Sequence, residues 1–256
     1  GRGALLRQFR GVGRRRAFSC FDEPGFQAVF DGALRVPQGL VAISNTKQIA
    51  EETGRDGMVT YHFASTKPLP TYLIAFAVGD FDVVEAKPIA SSALRPVEIP
   101  LRGIAMRGSG KKLKIALDDT AKLLLAEEAY FGIAYPFDKL DIIAVPDFGA
   151  GGMENAGAIT YEEDLVLLDE DVSLKRRREF LLTDAHEIAH HWFGNYATPQ
   201  WWDDLWLNES FATFMEAKFA AQIEPNWQFE TEILADAHDA MLLDRQASVR
   251  RVREPV

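Results

Sequence analysis

Two histidines four residues apart, His186-Glu187-Ile188-Ala189-His190, are followed after eighteen residues by a second glutamate, Glu209. On a helix, positions i and i+4 share a face, so both imidazoles can point at one metal ion. Zinc takes imidazole and carboxylate ligands. A catalytic zinc uses three protein groups and keeps one position for water, and two histidines with one glutamate form such a set. Glu187 lies about 100° round the helix from His186, where its carboxylate can serve as general base toward a water in the open position. The chemistry this spacing offers is metal-assisted hydrolysis.

Two helices must position these groups. Ser173 to Phe193 reads as one, with Ser173 as N-cap and Gly194-Asn195 as the stop. After the Thr198-Pro199 break a second runs from about Trp202 to Gln222, and Leu205, Phe211, Ala212, Met215 and Phe219 form its apolar stripe. Glu209 is expected close to that buried stripe, and a buried carboxylate needs a partner such as a metal. Glu216, seven residues further on the same face, either orients a zinc histidine or is a surface acid; the sequence leaves both open.

The rest of the chain divides by pattern. Residues 26 to 82 read as strands: Gly32–Val36, Leu40–Ser44, Thr60–Ala64 and Thr71–Phe81 are short, rich in β-formers and separated by turn residues. Lys87-Pro88 and Ser91-Ser92 mark a seam. Beyond it come a strand at Val97–Ala105 and an amphipathic helix at Lys111–Phe131 with Leu113, Leu117, Ala121, Leu124 and Ala129 on its apolar side. Short strands follow at Lys139–Val145 and Leu165–Leu168, around the Gly149–Gly157 segment, and a last helix covers Trp227 to Asp244. The expected class is α+β: an antiparallel β-rich domain, or the final part of one, at residues 1–86, then the domain with the metal-ligand pattern, expected to be the catalytic domain, at residues 87–256.

Totals bound the function. With 256 residues, 47% hydrophobic and 26% charged, the chain can build a sizeable core. No apolar run reaches the 18 or so residues of a membrane span. Cys20 is the sole cysteine, so no intrachain disulfide forms. The net charge is −10 although residues 1–16 carry six arginines and no acid. An acidic body is unsuited to nucleic acid and suits a cationic substrate amine. The basic start has no aromatic interleaving of the kind an RNA-binding arm uses. Localisation stays open.

Several segments together carry a family resemblance. They are Arg15-Arg16-Ala17-Phe18, Cys20-Phe21-Asp22-Glu23-Pro24, Tyr72–Phe81, Gly151-Gly152-Met153-Glu154-Asn155, His186–Asn195 and Trp201–Ala212. In this order they resemble the aminopeptidase N-like zinc metallopeptidases, gluzincins with a saddle-like β-rich N-terminal domain and a thermolysin-like catalytic domain. The resemblance implies that His186, His190 and Glu209 hold one Zn2+, that Glu187 is the general base, and that Glu154 holds the free α-amine of a peptide substrate. It implies that Gly151, Gly152, Met153, Glu154 and Asn155 form the substrate-binding segment. Glycines there let a peptide backbone approach closely, and Met153 is a candidate wall for the first side-chain pocket. A fixed carboxylate near the metal measures one residue from a positive chain end.

The chain also departs from the family pattern. The oxyanion-stabilising tyrosine that the family places well downstream of the third ligand matches none of the six tyrosines here. The family's closing helical domain is also absent, so a chain truncated at both ends is expected. Gln8-Phe9-Arg10 has an arginine where the family has an acid or amide near the substrate amine. The alternatives are a leukotriene-hydrolase-like epoxide hydrolase, since Gly151-Gly152-Met153 resembles that branch, and a catalytically impaired fragment or scaffold on the same fold.

Overall fold

The computed structural model describes residues 5–7 and 18–245. The arginine-rich start, with Gln8-Phe9-Arg10 and Arg15-Arg16-Ala17, lies outside the described residues, apart from the backbone of Leu5–Arg7.

The first part is antiparallel. Strands β3 (Ala33–Pro37), β5 (Gln48–Thr53) and β6 (Met58–Phe63) form one sheet in the order β3-β6-β5. β1 (Leu5–Arg7), β8 (Phe76–Gly79) and β4 (Val41–Ser44) form a second. The short β2 (Gln27–Ala28) and β7 (Leu69–Pro70) pair with each other. Strand β5 escapes the sequence pattern because all six of its residues are exposed, so neither alternation nor an apolar run marks it. The run expected as one strand from Thr71 to Phe81 is three elements. Thr71–Leu73 forms a 3-10 turn closed by Ile74 N to Thr71 O at 3.1 Å. β8 follows, and Asp80 alone separates it from β9 (Phe81–Glu85).

β9 belongs to a second, mixed sheet with β10 (Leu101–Met106), β11 (Leu140–Val145), β12 (Gly152–Met153) and β13 (Ala158–Glu162), in the order β12-β13-β11-β10-β9. β10, β11 and β13 run parallel, and both outer pairings are antiparallel. All six residues of β11 are buried, as expected of a strand covered on both faces. Ile142 packs in the core formed with helices α1 (Lys114–Phe131), α3 (Leu174–Ala189) and α4 (Leu205–Ile223). Its neighbour Ile143 faces Ile43, Ala77 and Phe81 on the opposite side. The mixed sheet is thus sandwiched between the three helices and the β1-β8-β4 sheet, and the class is α+β.

Local differences from the sequence pattern have physical causes. Leu165–Leu168 is not a strand. β13 precedes it, and a single turn, α2 (Glu163–Val166), follows with Val166 buried. On α1, Ala129 is exposed while Glu127 and Glu128 are buried. Glu128 is accounted for by Arg95 at 3.0 Å and by Tyr135 N at 2.9 Å. The helix stops at Gly132, whose φ of +65° suits a residue without a Cβ. The final helix is shorter than expected: a 3-10 turn at Pro225–Trp227 precedes α5 (Glu230–Asp244). Among the described residues, no helix is long and apolar enough to cross a membrane.

Candidate metal centre

Helix α3 starts as its sequence requires, with Ser173 Oγ accepting from Arg176 N at 3.4 Å. It ends at Ala189, four residues before the expected Phe193, and His190 occupies the C-cap. The chain then turns so that His190 Nδ1 meets Phe193 O at 3.0 Å. Gly194, at φ +124°, lets Asn208 approach so closely that a Cβ there would lie 2.2 Å from Asn208 Oδ1. Helices α3 and α4 pack against each other and bring their polar groups together.

The imidazoles of His186 and His190 stand with their Nε2 atoms 3.0 Å apart. Glu209 Oε2 lies 3.5 Å from the first and 3.7 Å from the second. Both Nδ1 atoms are taken up as donors, which leaves the two Nε2 atoms to face one another and the carboxylate. His186 Nδ1 faces Glu216 Oε2 at 2.9 Å, and His190 Nδ1 faces the carbonyl oxygen of Phe193. In the neutral rings the two Nε2 lone pairs therefore point at one another and at a carboxylate. Ligand atoms on one tetrahedral ion with bonds of about 2.0–2.2 Å sit roughly 3.3–3.5 Å apart, so His186, His190 and Glu209 can hold a single metal ion.

The charge balance agrees with the geometry. Burial pulls the His186 pKa down, but hydrogen bonds to Glu209 and Glu216 outweigh it and raise it to about 10. Burial likewise opposes the rise of His190 to about 9, which the charge of Glu154 and the contact with Glu209 produce. Burial tends to raise the Glu209 carboxyl, yet the two histidines hold it well below the usual range. These acids favour a cation on the histidines. Glu209 itself is half-exposed (51%) rather than buried with the apolar stripe of α4. Leu205, expected in that stripe, is also exposed and lines the cleft.

Glu187 is the buried neighbour. Burial raises its pKa to about 8 against the opposing pull of His190 and His186, and Oε2 has no hydrogen-bond partner. Its carboxyl lies against the Cα of Gly152, where an added Cβ would meet Oε1 at 2.2 Å. Both line a cleft of about 460 Å³ with Met153, Glu154, Tyr72 and Trp202. Strand β12 is the last of its sheet, so its outer edge borders this cleft. Of the expected substrate segment, Gly152, Met153 and Glu154 reach the cleft. Gly151 and Asn155 are not among its lining residues. Gly151 makes a turn at φ +75°. Asn155 is buried, its Nδ2 directed at Tyr72 O at 3.5 Å and its Oδ1 accepting from Thr160 Oγ1 at 3.3 Å, because it fastens the segment to the body of the protein.

Several groups around the site carry no sequence signal of their own. Asn208 Nδ2 donates to Glu154 Oε1 at 3.4 Å, and Asn195 Nδ2 donates to Glu154 O at 2.7 Å. Tyr72 donates its hydroxyl to Gly194 O at 2.8 Å and meets Trp202 edge-on at a centroid distance of 5.5 Å. On α3 itself, the buried Asp184 accepts from Tyr161 at 2.6 Å and Thr120 at 2.7 Å. Tyr72, Asn195, Trp202 and Asn208 fall inside the segments that carry the family resemblance, but no role is read for them there; Asp184, Tyr161 and Thr120 fall outside those segments.

Residues 115–256 match the model of the peptidase family M1 domain, and residues 2–73 match the peptidase M1 N-terminal domain. The chain belongs to peptidase family M1. That family implies a metal cofactor, which the donor triangle can accept. The M1 chain is 42% identical to Aminopeptidase M1-C of Oryza sativa subsp. japonica over 241 residues, covering 94% of this chain and 26% of that protein. It is 38% identical to Probable aminopeptidase 1 of Saccharolobus solfataricus over 248 residues, covering 97% of this chain and 31% of the relative. It is also 38% identical to human Endoplasmic reticulum aminopeptidase 1 over 250 residues, 97% of this chain and 26% of the relative. The chain thus spans about a quarter to a third of the length of these relatives.

Proposed function

We propose that the protein is a zinc-dependent aminopeptidase that removes N-terminal residues from peptides carrying a free α-amine. The observation that carries this reading is the triangle of two Nε2 atoms and one carboxylate oxygen, 3.0 to 3.7 Å on a side. A set of two imidazoles and one carboxylate suits zinc. When bound there by His186, His190 and Glu209, the ion supplies a Lewis acid for the scissile carbonyl and an acidified water. With a cation held beside it favouring its carboxylate form, Glu187 would accept a proton on its unpartnered Oε2 and hand it to the leaving amine. Glu154, inside the cleft, accepts the substrate ammonium, while the outer edge of Gly152–Met153 offers backbone groups to a peptide laid alongside. Met153 and Tyr72 bound the space for the first side chain. We place the catalytic part at residues 87–256 and the β-rich part at 1–86, with β9 crossing between them.

The names of the relatives, all aminopeptidases, favour peptide over epoxide hydrolysis. The test is release of amino acid from aminoacyl fluorogenic amides by the full-length protein, with and without chelator. Chelation abolishes turnover, and zinc restores it. Glu154→Ala leaves zinc content unchanged and raises KM for free-amine substrates. Equal kinetics on substrates with free and blocked amines refute the exopeptidase assignment.

A further inference from the structure

Asn208 is buried on α4 between two groups that the proposed reaction uses separately. Its Oδ1 lies 3.0 Å from His190 Nδ1, and its Nδ2 lies 3.4 Å from Glu154 Oε1. The orientation of this carboxamide follows from chemistry. Phe193 O, also 3.0 Å from His190 Nδ1, can only accept, so Nδ1 carries the hydrogen. The Asn208 atom facing it is therefore the oxygen, and the amide nitrogen is left for the Glu154 carboxylate. Gly194 makes the approach possible, since any Cβ there would collide with Asn208 Oδ1. Asn195 completes the hold on the same residue through Glu154 O.

We propose that Asn208 is a positioning residue that clamps the amine-binding carboxylate to a metal ligand, fixing the distance between substrate amine and metal; this rests on the aminopeptidase reading. One planar amide shares the Nδ1–H of His190 with Phe193 O and sets the direction of Glu154. Hydrogen-bond partners that orient metal ligands typically control affinity 10- to 100-fold. Here the same group also orients the specificity carboxylate, so metal binding and amine recognition are coupled through it.

The isosteric variant Asn208→Asp separates the two bonds. It keeps an acceptor for His190 and replaces the donor to Glu154 with a like charge. Zinc affinity, read by competition with dipicolinate, stays within about threefold of the parent. KM for leucine aminomethylcoumarin amide rises about tenfold or more with kcat within about threefold. In a Glu154→Ala background the same change leaves KM unaltered, which a general loosening of the cleft would not do. Asn208→Ala loses both bonds, and zinc affinity falls about 10- to 100-fold. An unchanged KM in Asn208→Asp, an equal KM rise in both backgrounds, or unchanged zinc affinity in Asn208→Ala overturns the proposal. If the parent releases nothing from the amide, the aminopeptidase reading fails and the Glu154 half falls with it. The zinc competition then decides the His190 half without recourse to activity.

Discussion

Replacing Glu187 by glutamine tests the chemistry and the cost of the site together. The side chain is buried, one carboxylate oxygen has no partner, and its pKa stands at about 8 instead of 4.5. Glutamine fills the same volume but cannot take a proton from water, so kcat falls by about 10²–10⁴. Glu187 is not one of the three converging donors, so zinc content is unchanged. The second consequence concerns stability of the metal-free protein. Below pH 4.5 the carboxyl is protonated whether the chain is folded or not, and it contributes no pH dependence. Between 4.5 and about 8 the unfolded chain releases the proton that the fold retains, so stability falls as pH rises. A displacement from 4.5 to about 8 has a ceiling of about 5 kcal/mol. A third of that moves Tm by about 3–6 °C in a chain of this size. Thermal melts of parent and Glu187→Gln in chelator should coincide at pH 4.5 and separate progressively to pH 8, the variant being the more stable. Normal turnover by the variant, or coincident melts at pH 8, refutes the reasoning.

Other perturbations reach different parts of the structure. Glu216→Gln removes the carboxylate 2.9 Å from His186 Nδ1 and should weaken zinc about 10- to 100-fold in a chelator competition, with the fold intact by circular dichroism. Glu127 is fully buried with both oxygens unpartnered, and burial, then the charge of Asp184, holds its pKa well above the usual range. Its protonated form belongs to the fold, so stability declines as pH rises above the ordinary carboxyl pKa. Glu127→Gln should flatten that decline in melts from pH 5 to 9. Asn45 donates to Leu73 O and Ala156 O and accepts from Ala75 N, all within 2.8–2.9 Å. Asn45→Ala strands these buried groups and should cost about 2–4 kcal/mol in urea unfolding.

The convergence of His186, His190 and Glu209 was legible in the sequence because helical spacing and ligand type act locally. His186 and His190 need only one helix to share a face, and Ser173 announces where it starts. What joins α3 to α4 was less legible. Glu209 was expected near a buried stripe, whereas it stands half-exposed beside the cleft, because the opening on that side leaves α4 uncovered. Asn208 has no pattern of its own, since its role depends on a turn at Gly194 and on Glu154, 54 residues away in the chain. β5 was invisible because all six of its residues are exposed, and Glu128 broke the apolar pattern of α1 because a distant arginine, Arg95, neutralises it. Long-range pairing overrides local pattern in each case.

The single residue between β8 and β9 has a mechanical meaning. Asp80 carries the chain directly from the β1-β8-β4 sheet into the five-stranded one. Arg107 N fastens its carbonyl at 3.0 Å, and the Arg107 guanidinium pairs with its carboxylate. A junction of one residue leaves the two sheets little room to shift against each other at this point. The link thus ties the sheet that carries Ala77 to the one whose far edge, Gly152–Met153, borders the cleft beside Glu154 and the histidines.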